Sequence, residues 1–169
     1  NPVLSFGPGG VPEAVRAFTR SARASGLAGV IVPDLPVEES LLLRRAAAAE
    51  RLCAVLLAAP TSGPARLRMI ARASQGFIYY VSVTGTTGIR QALPAGLLEG
   101  VRQLRLMTTK PICVGFGIST PAQAAAVARV ADGVIVGSAL IRAIGLSGRR
   151  ASALGRARAF AGRMRRAIA

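Results

Sequence analysis

Short apolar runs alternate along this chain with longer stretches whose apolar residues recur every three or four positions. Five runs have the length and composition of buried strands: Gly29–Val32, Cys53–Ala58, Phe77–Val81, Ile112–Gly115 and Gly133–Val136. Between them, Ser40–Glu50, Pro64–Ala73, Pro94–Met107 and Thr120–Ala128 read as helices. Another helix is expected at Pro12–Ala24, where Val15, Phe18 and Ala22 share a face. A last one is expected at Arg149–Ile168, with Leu154, Ala157, Ala161, Met164 and Ile168 on its inner side. Ser119-Thr120-Pro121 and Leu93-Pro94 look like helix starts, and Gly26 and Gly76 look like stop signals. Strict alternation of strand and helix predicts βαβ units, hence an α/β fold with a parallel sheet.

Two of the strand ends stand out. Val114-Gly115-Phe116-Gly117-Ile118-Ser119 and, one βα unit later, Gly133-Val134-Ile135-Val136-Gly137-Ser138-Ala139 each run from an apolar strand through glycine into a helix start. Consecutive turns of this kind build the phosphate site of (β/α)8 barrels. Glycine lets backbone N–H groups approach an anion, and the helix beyond adds unpaired donors and the positive end of its dipole. Five strands do not close an eight-stranded barrel. The expected fold is therefore a partial (β/α)8 TIM barrel, about strands 4 to 8, in one incomplete domain spanning residues 1–169. Asn1-Pro2-Val3-Leu4-Ser5-Phe6-Gly7 reads as the end of strand 3, entered from upstream sequence, and not as a signal peptide.

Composition narrows the chemistry. The chain is 51% hydrophobic, with no Trp and no His. Absence of His removes His-based triads and most zinc sites. No apolar run is long enough to span a membrane. Cys53 and Cys113 lie in apolar runs without a CxxC, so buried free thiols are expected and no metal site is. The net charge of +15 comes from 22 Lys+Arg against 7 Asp+Glu. The arginines are spread over the helical stretches without interleaved aromatics, so solvated helix faces are expected here and a nucleic-acid-binding surface is the minor alternative.

Four patches, taken in order, carry a resemblance. They are Asn1-Pro2-Val3; Gly29-Val30-Ile31-Val32-Pro33-Asp34-Leu35-Pro36-Val37-Glu38-Glu39-Ser40; Gly76-Phe77-Ile78-Tyr79-Tyr80-Val81-Ser82-Val83-Thr84-Gly85-Thr86-Thr87-Gly88; and the two glycine turns. Over essentially the whole chain they resemble the α subunits of tryptophan synthase. The resemblance implies a lyase of tryptophan biosynthesis, in the cytoplasm, that cleaves indole-3-glycerol phosphate by retro-aldol chemistry to indole and glyceraldehyde 3-phosphate. It implies no cofactor on this chain; pyridoxal phosphate belongs to a partner β subunit, in an α2β2 assembly.

The family's phosphate site maps onto Gly88, Gly117, Gly137 and Ser138, with Thr87 and Gly115 beside it and Ala139–Ala143 supplying the helix end. Phe116 and Ile118 map onto the lining of the indole pocket, although core packing is an equal reading of Ile118. Tyr79 resembles the active-site tyrosine near the reacting part of the substrate; a structural role in a buried strand competes with that. Asp34, at a strand's C-terminal end, is expected to order a loop in concert with Thr86–Gly88.

The chain departs from the family in two places. The family's catalytic Glu and Asp lie on elements that precede Asn1, and Glu38 and Glu39 start a helix, so no catalytic residue is assigned and the chain alone is expected to be inactive. Val83 stands where Arg is common, which weakens the expected locking of the loop. The alternatives are a non-catalytic homologue that binds and activates a β subunit, and another phosphate-binding barrel of amino-acid biosynthesis.

Overall fold

The computed structural model describes residues 10–81, 93, 96–115, 117–145 and 150–169. Its elements are α1 (Gly10–Ala24), β1 (Gly29–Ile31), a 3-10 turn (Val37–Glu39), α2 (Leu41–Ala49), β2 (Cys53–Ala58), α3 (Pro64–Ala73), β3 (Ile78–Val81), α4 (Leu97–Arg105), β4 (Ile112–Gly115), α5 (Pro121–Ala128), β5 (Gly133–Val134), α6 (Ser138–Ile144) and α7 (Arg150–Ile168). The strands follow one another in chain order in a five-stranded sheet. β1 pairs with β2, and β4 with β5, in parallel. The alternation read from the sequence is thus the architecture, and the class is α/β.

The ends differ by one to three residues where local geometry intervenes. β5 stops at Val134 instead of Val136. Ile135 still donates its N–H to Val114 O (2.7 Å), and the chain then turns at Gly137. α4 begins at Leu97 behind Gly96, whose φ of 78° only glycine adopts freely. Gly26 also has positive φ and closes α1, as its stop-signal reading requires. Glu38 and Glu39 lie in the 3-10 turn just ahead of α2.

The chain divides into two compact units. The first comprises Asn1–Ala58, Ser62–Tyr79 and Met107–Lys110. Its core joins Val15 and Ala22 of α1, Val30 of β1, Leu43, Ala46 and Ala47 of α2, Leu52, and Ala54 of β2. Gly29 sits opposite Cys53 in the β1–β2 register, and a Cβ there would lie 2.6 Å from Cys53 O, so only glycine fits the pairing. Side chains complete the bonding of β2: Leu56 N–H donates to Ser74 Oγ (2.9 Å) and Ala54 N–H to Gln75 Oε1 (2.9 Å). Ser74 Oγ in turn donates to Phe77 O (2.6 Å), which satisfies a buried hydroxyl.

The second unit comprises Ala59–Thr61, Tyr80–Leu106 and Pro111–Ala169. Tyr80, Leu97, Val101, Leu104, Ile112, Val114 and Val127 are its most buried side chains. Tyr80 fills the space over Gly100 of α4, where an added Cβ would overlap its hydroxyl. Asp132, just before β5, accepts from Ile112 N–H (2.7 Å) and pairs with Arg105 of α4. α7 packs on α5 and α6.

The face of α7 differs from the expectation. Met164 is buried as expected, but Leu154 is 70% exposed, Ile168 is also exposed, and Phe160, off the expected face, is buried. The bulkiest apolar side chain of the helix sets its rotation, because burying Phe160 removes more apolar area than burying Leu154 would. The two cysteines are free, as expected, but half-buried. Burial and the charge of Asp132 push the Cys113 thiol up from its ordinary pKa. Among the described residues no helix is long and apolar enough to cross a membrane, and no His/Cys/Asp/Glu group could hold a metal ion.

Candidate active site

The two glycine turns lie side by side at the ends of paired strands. β4 and β5 are in register at Cys113 with Gly133 and at Val114 with Val134, and both chains then leave the sheet toward a helix. Gly115 is the buried last residue of β4. Gly117 is exposed at φ 85°, a left-handed conformation that glycine adopts freely. Gly137 and Ser138 are exposed at the start of α6, and among the described residues, its chain neighbours aside, a Cβ placed on Gly137 would meet no atom within 4 Å.

The two helix starts differ in how their donors are used. Thr120 and Gln123 form a capping box on α5, so the backbone donors there are taken up internally. Gly137 precedes α6 without any side-chain cap. The first N–H groups of a helix lack intrahelical partners, and at α6 no side chain caps them.

Ile118 is buried, 3% exposed, and packs in the second unit's core. Phe116, Thr87, Gly88, Val83 and the whole Thr84–Gly88 loop lie outside the described residues, as does the Asn1-Pro2-Val3 patch. Tyr79 is half-buried on β3 and belongs to the first unit. Burial raises its hydroxyl above the ordinary tyrosine pKa, so it is a neutral hydrogen-bonding group at neutral pH.

Asp34 is exposed in the loop after β1. In the same loop Glu38 pairs with Arg66, at the start of α3, at 2.8 Å. The hydrogen bond from Arg66 holds the Glu38 carboxyl below its ordinary range. This pair was not singled out from the sequence, and nothing in the spacing of the two residues signals it. Gln123 was missed too, although Thr120-x-x-Gln123 is the pattern of a capping box.

An α/β chain whose parallel strands follow one another in chain order, with a helix between each pair, has the architecture of a (β/α)8 barrel. Comparison with known proteins gives the family within that class. The model of the tryptophan synthase alpha chain family matches residues 1–169. The tryptophan synthase alpha chain of Gloeobacter violaceus is 51% identical over 129 residues, covering 76% of this chain and 47% of that protein. That of Picosynechococcus is 46% identical over 156 residues, covering 92% of this chain and 59% of its relative.

Among solved structures, Mycobacterium tuberculosis tryptophan synthase superposes with a TM-score of 0.81 at 38% identity, covering 99% of this chain and 59% of the other. The alpha subunit of Legionella pneumophila gives a TM-score of 0.75 at 34% identity, covering 91% and 56%. The chain belongs to the tryptophan synthase alpha chain family, and its fold is part of that family's TIM barrel. It spans about half of the length of the relatives it matches, from 47% to 59%.

Proposed function

We propose that this chain supplies the phosphate half of an indole-3-glycerol phosphate site, for the retro-aldol cleavage that yields indole and glyceraldehyde 3-phosphate in tryptophan biosynthesis. One observation carries the reading: α6 starts without a side-chain cap at Gly137, a Cβ there would meet no described residue beyond its chain neighbours within 4 Å, and Ser138 beside it is exposed. Backbone donors and the Ser138 hydroxyl would hold the phosphate oxygens, with Gly117 on the neighbouring turn. Holding the phosphate fixes the glycerol chain, so that the carbon–carbon bond to be broken sits at a constant place.

Cleavage also needs an acid/base group within hydrogen-bond reach of the indole ring and of the glycerol hydroxyl whose proton is lost. The family's carboxylates for that task map before Asn1. Glu38 is engaged with Arg66. The chain is thus read as a binding half without the proton-transfer half. It needs no cofactor in this reading, acts in the cytoplasm, and joins a β subunit that carries pyridoxal phosphate.

Titration of the chain with sn-glycerol 3-phosphate, together with an indole-release assay on indole-3-glycerol phosphate, tests this. Saturable binding of the phosphate compound without indole release is the expected result. Release of indole by these 169 residues alone, or no binding at all, contradicts the proposal.

A further inference from the structure

The arginines of this chain are spread along it, but the carboxylates that could neutralise them are not. Of the acidic residues, only Glu99 and Asp132 belong to the second unit. Both are engaged, Glu99 with Arg102 and Asp132 with Arg105. From Gly133 to Ala169 there is no Asp or Glu at all. Over that same stretch α7 carries Arg150, Arg156, Arg158, Arg163, Arg165 and Arg166.

Arg156 turns inward, and its Nε–H donates to Ile144 O at the end of α6 (2.7 Å). Arg158, Arg163, Arg165 and Arg166 are exposed, and among the described residues no carboxylate side chain pairs with any of them. From Arg158 to Arg166 the row runs about 12 Å along the helix axis. Arg165 and Arg166, in the last turn, complement the helix dipole; Arg158 and Arg163, further from the end, do not. Arg163 and Arg166 stand three residues apart and repel each other. Arg129, which ends α5, and Arg142 on α6 are also exposed, on the two helices that α7 packs against. The result is a positive field that an anionic partner would relieve.

A run of phosphodiesters fits such a row. Its charges repeat along a line, and arginines that neutralise them release its condensed counterions. The exposed or half-buried residues between Arg158 and Arg166 are otherwise Ala159, Ala161 and Gly162. These leave the guanidinium groups accessible and offer nothing bulky to insert into a bilayer.

We propose that the outer face of α7 binds the phosphate backbone of a nucleic acid without reading its sequence. The inference stands apart from the phosphate reading given above.

Fluorescence anisotropy with a labelled polyuridine oligonucleotide, repeated across a range of NaCl concentrations, tests it. Four engaged arginines predict that log K falls against log salt with a slope of about −3. The variant R158Q/R163Q/R165Q/R166Q should bind at least about tenfold more weakly at low salt and bring the slope close to zero. R158K/R163K/R165K/R166K keeps the charge and should keep the slope. R23Q/R45Q/R68Q/R72Q removes the same net charge from exposed positions of the first unit and should change little.

Circular dichroism checks the fold of each variant. If the α7 glutamine variant unfolds, photo-cross-linking of the parent to thiouridine-containing RNA decides, and the cross-links should map to α7. No binding by the parent, a slope shallower than about −1, or equal losses in the two glutamine variants overturns the inference. So do cross-links confined to the first unit, or tighter binding to phosphatidylserine vesicles than to the RNA.

Discussion

Lys110, the one lysine among 22 Lys+Arg, closes the C-terminus of α3. Its Nζ donates to Ala71 O (2.8 Å), Arg72 O (3.0 Å) and Ser74 O (2.6 Å). These carbonyls belong to the last turn of the helix and the residue after it, where no intrahelical donor remains. A cation there also meets the negative end of the dipole. Each hydrogen bond to a charged group contributes roughly 1.5–3 kcal/mol when buried. Lys110 is only half-buried and the bond to Arg72 O is exposed, so water replaces part of that on its removal. Lys110→Met, which keeps the aliphatic stem, should then cost about 2 kcal/mol, or a fall in Tm of about 4–8 °C for a chain of this length. Lys110→Arg should recover less than half of the loss. A planar guanidinium splays its donors in one plane, whereas an ammonium directs three toward three converging carbonyls. Urea unfolding at pH 7 measures both variants. A Lys110→Met loss under 0.5 kcal/mol, or an arginine variant as stable as the parent, would refute the cap.

Two further outcomes follow from the second unit. Gly100→Ala should destabilise by about 1–2 kcal/mol in the same assay, because overpacking against Tyr80 outweighs the roughly 1 kcal/mol that alanine gains as a helix former. Asp132→Ala should cost about 1 kcal/mol at pH 7, discounted for its partial exposure. The Asp132 carboxyl is held below its ordinary range, first by the Ile112 N–H and also by Arg105. Its contribution is therefore present above the unfolded-state pKa and is lost as pH falls through the lowered folded value. The gap between parent and variant should close below about pH 4, followed by unfolding at several pH values.

The elements were legible in the sequence because buried parallel strands are apolar throughout and the helices between them repeat at helical spacing. Cys53–Ala58, Pro64–Ala73 and Ile112–Gly115 coincide with the observed elements to the residue. The rotation of α7 was not legible. The stripe through Leu154 and Ile168 and the stripe through Phe160 both satisfy helical spacing, and packing on α5 and α6 decides between them. At the candidate site, glycine and serine types marked the turns correctly as strand-to-helix exits. The capping box on α5 was readable from Thr120-x-x-Gln123, whereas Gly137 ahead of α6 offers no capping side chain. Contacts between residues distant in sequence, such as Glu38 with Arg66 or Lys110 with α3, leave no periodic trace at all.

The central claim is that the Gly137–Ser138 turn holds phosphate, and Gly137→Val tests it most directly. Among the described residues, its chain neighbours aside, no atom lies within 4 Å of a Cβ at Gly137, so the new side chain meets no core packing there. Calorimetric titration of parent and variant with sn-glycerol 3-phosphate and with indole gives the comparison. The account predicts a loss of about 2 kcal/mol, roughly 30-fold, for the phosphate compound, as charge-assisted bonds to the backbone are blocked. It predicts little change for indole. Equal losses for both ligands, or none for either, would contradict it.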